Sequence, residues 1–184
     1  MVEALGRLGA DLNKADDTGV TPLIIAEANG HVSVVEALGR LGANLNKADN
    51  DTGSTPLWMA AQEGHVLVVE ALGRLGADLN KADDTGSTAL WMAAQEGHVS
   101  VVEALGRLGA DLNKARNDGT TPLLIAARKG HAPTVQALLR LGADPTIAWR
   151  GRTPMDVAVS EQHVSVVEVF SAAGIEPTTH NRLW

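Results

Sequence analysis

Apolar and polar positions alternate along this chain in short blocks that recur. In TPLIIAEANG, Thr21 is suited to cap a helix and Pro22 to its first position, where no amide is needed. Gly30 is placed to stop that helix after about two turns. In the following HVSVVEALGRLGA, Val34, Leu38 and Leu41 share a helical face, Glu36 can pair with Arg40 one turn on, and Gly42 ends the helix. Arg40 also complements the carboxyl end of the helix dipole. The connecting segments, such as ADLNKADDTGS, gather Asp, Asn, Thr and Gly, the residues of a tight reversal, and predict a hairpin-like finger.

The blocks have a fixed period. Gly19, Gly53, Gly86, Gly119 and Gly151 follow one another at spacings of 34, 33, 33 and 32 residues. Asp51–Ala82 and Asp84–Ala115 differ only at Pro56/Ala89 and Leu67/Ser100. Helices this short are marginal alone, so each pair must be buried against its neighbours. The predicted architecture is an all-α repeat solenoid, a linear stack of helix-turn-helix units with hairpin-like fingers.

The pattern D-x-x-G-x-T-P-L, then A-A-x-x-G-H, V-V-x-x-L and G-A-D-x-N, closely resembles the ankyrin repeat over residues 1–177. On that frame the chain divides into a partial unit at 1–15, units one to four at 16–48, 49–82, 83–115 and 116–148, a degenerate fifth at 149–177 and a tail at 178–184. The resemblance implies a non-catalytic scaffold that binds a protein partner on the concave face formed by the fingers and the first helices. The alternative is a structural, engineered or recently duplicated array with no specific ligand, favoured by the near-identity of units two and three.

Two departures from the family pattern stand out. The His that ends the family's T-P-L-H tetrapeptide, implied to bond between repeats, is replaced by Ile24, Trp58, Trp91, Leu124 and Asp156. The second Leu of the family's L-L pair in helix two is replaced by Gly6, Gly39, Gly73 and Gly106, and only Leu139 keeps it. Each such Gly costs about 1 kcal/mol against Ala. The expectation drawn from the pair is that the Trp58 and Trp91 indoles fill the space of the missing Leu side chains. Val2–Ala15 copies Val35–Ala48 almost residue for residue, so the chain opens on a second helix without its own first helix. An exposed apolar edge, open to self-association, is expected there.

Composition narrows the function. A hydrophobic content of 45% with 20% charged residues suits a folded chain, and a net charge of -7 disfavours nucleic acid as a partner. With no cysteine there is no disulfide or thiolate metal site, and neither a signal peptide nor a membrane-length apolar run is visible. An intracellular, cytoplasmic protein is the default expectation. No nucleophile with an assigned base, phosphate loop or H-E-x-x-H helix is present, so no catalytic residue and no cofactor is expected.

The recurring His31, His65, His98, His131 and His163 are too far apart for one metal ion, since stacked helices lie about 8–10 Å apart and zinc ligands sit within about 2.1 Å of the ion. They are expected to bond to local backbone. Acidic pairs such as Asp16–Asp17 read as turn formers in place of calcium ligands. Asn13, Asn46, Asn80 and Asn113 occupy the family's G-A-D-x-N position, which implies that they brace the hairpins. The sequence leaves open whether Asn46, Asn80 or Asn113 is hydroxylated, as this asparagine is in some animal ankyrin proteins.

Candidate partner contacts are the positions that vary while the frame stays fixed, with the two tryptophans beside them. They are Asp17, Asp51, Trp58, Glu63, Asp84, Trp91 and Glu96 in units one to three, then Arg128, Lys129, Arg150 and Arg152 in units four and five. Residues 1–115 carry 8 Lys and Arg against 16 Asp and Glu, whereas residues 116–184 carry 7 against 6. A partner is therefore expected to bring basic groups to units one to three and acidic groups to units four and five.

Overall fold

A computed structural model of the chain describes residues 8–178. The expectations placed on residues 1–7, namely the opening helix with Gly6 and its apolar edge, fall outside the described residues, as does the tail beyond Thr178.

Among the described residues ten helices follow in pairs. They are α1 (Pro22–Ala28) and α2 (Val32–Arg40), α3 (Pro56–Gln62) and α4 (Val66–Arg74), and α5 (Ala89–Glu96) and α6 (Val99–Leu108). Two more pairs complete the array, α7 (Pro122–Lys129) with α8 (Ala132–Leu141) and α9 (Pro154–Ser160) with α10 (Val164–Ala172). Each first helix starts as its sequence requires. The hydroxyls of Thr21, Thr55, Thr88, Thr121 and Thr153 accept hydrogen bonds of 3.2–3.3 Å from the third helical amide.

The first helices stack in one row, α1 on α3 on α5 on α7 on α9, and the second helices in another, α2 on α4 on α6 on α8 on α10. Between the rows lie Leu23, Leu57, Leu90 and Leu123 from one side and Leu38, Leu72, Leu105 and Leu138 from the other, all buried. Each contributes about 1.5–3 kcal/mol relative to an exposed side chain. The apolar face of α2 is centred slightly differently from the sequence expectation, because Val35 is fully buried while Val34 is only half-buried. In α1, the first helix of the row among the described residues, Ile25 is 55% exposed, whereas its counterparts Met92 and Ile125 are 7% and 0% exposed.

The fingers are turns built around aspartates. Asp16 Oδ1 accepts from the Thr18 and Val20 amides and the Thr18 hydroxyl, and these bonds, the hydroxyl's foremost, hold its carboxyl below the usual range. Successive fingers are joined by backbone bonds of 3.1 Å from Asn50 to Thr18, Asp84 to Thr52 and Asn117 to Thr85.

The asparagines reach further than their own hairpin. Asn13, Asn46, Asn80 and Asn113 each accept, through Oδ1, the amide of a residue in the next unit at 2.6–2.9 Å. The histidines correct the local-backbone expectation. His65, His98, His131 and His163 donate to the main-chain oxygens of Glu27, Gln62, Gln95 and Arg128, at the end of the previous unit's first helix, at 2.9–3.1 Å. Thus an inter-unit polar tie is present, supplied by the second helix instead of the first. Gly64, Gly97 and Gly130 make room for it, since a Cβ on any of them would lie 2.9–3.0 Å from the next histidine ring.

The expectation that tryptophan fills the space beside the helix-two glycines is also corrected. A Cβ on Gly39, Gly73 or Gly106 would meet Cδ1 of Leu75, Leu108 or Leu141 at 2.5–2.6 Å. The space is taken by a leucine one unit further along, so the missing side chain is replaced across the stack and not within the unit.

Asp156, the one charged residue at the tetrapeptide position, has a different task. It completes a capping box with Thr153 and accepts from the amide and hydroxyl of Thr178 at 2.8 and 2.9 Å, drawing the start of the tail onto α9.

Candidate partner-binding face

The finger tips and the ends of the first helices carry the variable residues. Asp17, Asp51 and Asp84 are exposed on the first three fingers, beside the aspartates that hold the turns. Glu63 and Glu96 are exposed at the carboxyl ends of α3 and α5. In unit four Lys129 is exposed and Arg128 half-buried at the end of α7.

The structure brings three of the four basic candidates together around a residue the sequence reading did not single out. Trp149, in the fifth finger, has the guanidinium carbons of Arg150, Arg128 and Arg152 at 4.6, 5.6 and 5.7 Å from its ring centre. Its indole N–H donates to Asp118 O at 3.0 Å, which fixes the ring on the preceding finger. Arg150 and Gly151 both have positive φ, +52° and +74°, forming the two-residue turn that the Trp149–Arg152 bridge closes. The signal in the sequence was the WRGR stretch, a tryptophan set among arginines where the first three fingers are acidic or amidic.

Trp91 is corrected as a contact residue. It is only 2% exposed, its N–H donates to Thr120 O and Oγ1 at 3.1 and 3.2 Å, and Arg116 covers its ring at 5.0 Å. Trp58, one unit earlier, is half-buried, and its N–H has no hydrogen-bond partner. Trp58 lines a groove of about 550 Å³ with Glu27, Ala28, Thr52, Ser54, Met59, Gln62 and Glu63.

Glu27, also absent from the sequence reading, is the unusual member of that groove. Its side chain is fully buried, and neither carboxylate oxygen has a hydrogen-bond partner. The nearest base is the His65 ring, 4.0 Å from Oε1. Burial, reinforced by the charge of Glu63, pushes the Glu27 carboxyl up to about 8. The signal was legible down the repeat column, where Ala61, Ala94 and Ala127 occupy the same position.

The opposite face is electrostatically closed on itself. Arg40 and Arg74 flank Glu36 at 3.9 and 3.7 Å, Arg74 and Arg107 flank Glu70 at 3.7 and 3.6 Å, and Arg140 meets Glu103 at 3.0 Å. Exposed pairs of this kind contribute little stability, about 0–1 kcal/mol each, but they match the charges of α2, α4, α6 and α8. Among the described residues no helix is long and apolar enough to cross a membrane.

The family model described as ankyrin repeats (3 copies) matches residues 1–83, 41–115, 68–149 and 90–181. No curated protein matches the chain. With matches that run in overlapping register through the stacked helix pairs, the chain belongs to the ankyrin repeat family, whose members are generally protein–protein interaction modules.

Proposed function

We propose that this chain is a non-catalytic scaffold that binds one protein partner across the fingers and first helices. Basic groups of the partner face units one to three, and acidic groups face units four and five. The observation that carries this reading is the division of charge along one face, with the arginines gathered on Trp149 at one end and exposed Asp17, Asp51, Glu63, Asp84 and Glu96 toward the other. The second-helix row, where opposite charges already pair with each other, offers no comparable polarity. Complementary charge of this kind sets association rate and orientation more than final affinity.

The test is charge reversal at Arg128 and Lys129 to Glu, measured against a partner cross-linked to the intact protein. Association slows and its salt dependence changes sign or steepness, because screening acts over about 10 Å at 0.1 M salt. Unchanged association kinetics and salt response would remove this reading.

A further inference from the structure

We propose that the groove between the second finger and helices α1 and α3 is a socket for a cationic side chain, an arginine or lysine of a basic protein segment. Its charge pairs with Glu27 and Glu63 while its stem lies along Trp58 and Met59. The inference rests on the reading of this face as the protein-binding surface and names the chemistry of one contact on it.

Three independent observations converge. First, Glu27 is a fully buried carboxyl with both oxygens unpartnered on the edge of an open groove. A buried polar group without partners is costly, and three other units place alanine there, so the fold itself does not require the acid. The one nearby base gives it no hydrogen bond, because His65 Nδ1 donates instead to the Glu27 main-chain oxygen at 3.1 Å. Second, Glu63 adds an exposed carboxylate to the same groove, so both ionisable groups that line it are acids and no base lines it. Third, this chain demonstrates how a tryptophan at this position receives a cation: Trp91 carries the Arg116 guanidinium at 5.0 Å. At Trp58 the place corresponding to Arg116 is Asp83, so no cation comes from the next finger.

The ligand class follows from shape and charge. The walls formed by Trp58, Met59 and Ala28 suit an aliphatic stem or a planar guanidinium, and the acid at the base suits several N–H donors. Met59 and Gln62 are unbranched wall residues that can adapt to an entering side chain.

The experiment titrates the full chain with acetyl-Gly-Arg-Gly-amide and with its uncharged citrulline counterpart, following the indole N–H resonances. The arginine peptide shifts Trp58 and leaves Trp91 unmoved, whereas the citrulline peptide binds at least about tenfold more weakly. The arginine peptide's affinity rises with pH through about 8 as Glu27 gives up its proton, and Glu27→Ala weakens it about tenfold and flattens that dependence. Glu27→Ala keeps the fold, since alanine stands at 61, 94 and 127, and Glu27→Gln retains the shape without the charge. Equal binding of the two peptides, or unchanged arginine binding in Glu27→Ala, overturns the socket. If that happens while Arg128 and Lys129 reversal still alters a partner's association, the scaffold reading survives alone. If the socket behaves as stated but no substitution on this face alters any partner, the scaffold reading falls and the socket stands.

Discussion

Trp58 and Trp91 occupy the same place in two units whose sequences differ at only two positions over Asp51–Ala82 and Asp84–Ala115. Trp91 is sealed, bonded and covered by a guanidinium, while Trp58 is half-buried with its N–H unpartnered on the wall of a groove. Nothing within either unit accounts for this. After Trp91 comes a finger with Arg116 and Thr120, and after Trp58 one with Asp83 and Ser87. Before Trp91 lies Ala61, and before Trp58 lies Glu27. In a stack where each unit touches only its neighbours, a side chain's environment is set by the adjacent units. Copying a repeat therefore does not copy its site.

Removing Glu27 should have the largest effect on this contrast. Its carboxyl ordinarily titrates near 4.5 and is raised to about 8 in the fold, so the folded state holds the proton more tightly than the unfolded chain. The associated stability is complete below pH 4.5, declines as pH rises through the window, and is lost above about 8. The ceiling on this effect is roughly 5 kcal/mol, from about 1.4 kcal/mol per pH unit. The charge of Glu63, which also raises the carboxyl, acts in the same direction as burial. Glu27→Ala should raise the urea midpoint of units one and two at pH 8 and remove their decline between pH 5 and 8. A wild-type slope persisting in the variant would show that Glu27 is not the titrating group.

Elements governed by adjacent residues were legible in the sequence. The threonine caps, the positive-φ glycines, the Asp-built fingers and the two-turn first helices follow from local rules, and the structure shows each of them. Relations between units were not legible in the same way. The histidines were expected on local backbone yet bond to the preceding unit, and the tryptophans were expected beside glycines that leucines of the following unit cover. Both errors treated a unit as self-contained. Glu27 was visible as a charged residue in an alanine column, but its meaning depended on a burial that no single unit displays.

A second prediction sharpens the same lesson at Gly106. Exchanging it for Ala offers about 1 kcal/mol of helix propensity, but the new Cβ would lie 2.5 Å from Leu141 Cδ1 and 3.2 Å from its Cγ. Gly106→Ala alone should therefore gain less than that amount, and the full gain should appear only with Leu141→Ala in the background. The coupling, read from urea denaturation of the four proteins of the cycle, should be about 0.5–1 kcal/mol. The matching cycle with Trp91→Leu should be additive. Coupling to Trp91 in place of Leu141 would restore the within-unit explanation.

The smallest expected effect comes from transplanting the neighbour of Trp91 onto Trp58. Arg116 is held over the Trp91 ring by Asp118 Oδ2 at 3.5 Å and by its Nε donating to Thr85 Oγ1 at 3.2 Å. Its counterpart Asp83 instead holds the third finger by accepting from Thr85 and Ser87, a duty that Asp118 performs in the fourth by accepting from Thr120. A lone Asp83→Arg would thus lose the turn and gain no anchor. The combined exchange Asp83→Arg, Thr85→Asp and Ser87→Thr moves the turn-forming carboxylate, the guanidinium and the hydroxyl together, with Thr52 standing where Thr85 stands for Arg116. Trp58 should then gain a covering cation and a partner for its N–H, stabilising units two and three by about 0.5–1 kcal/mol. Its indole N–H resonance should move toward that of Trp91, and its exchange with solvent should slow. An unchanged Trp58 resonance in a folded triple variant would show that the preceding unit, with Glu27, determines the difference between the two tryptophans.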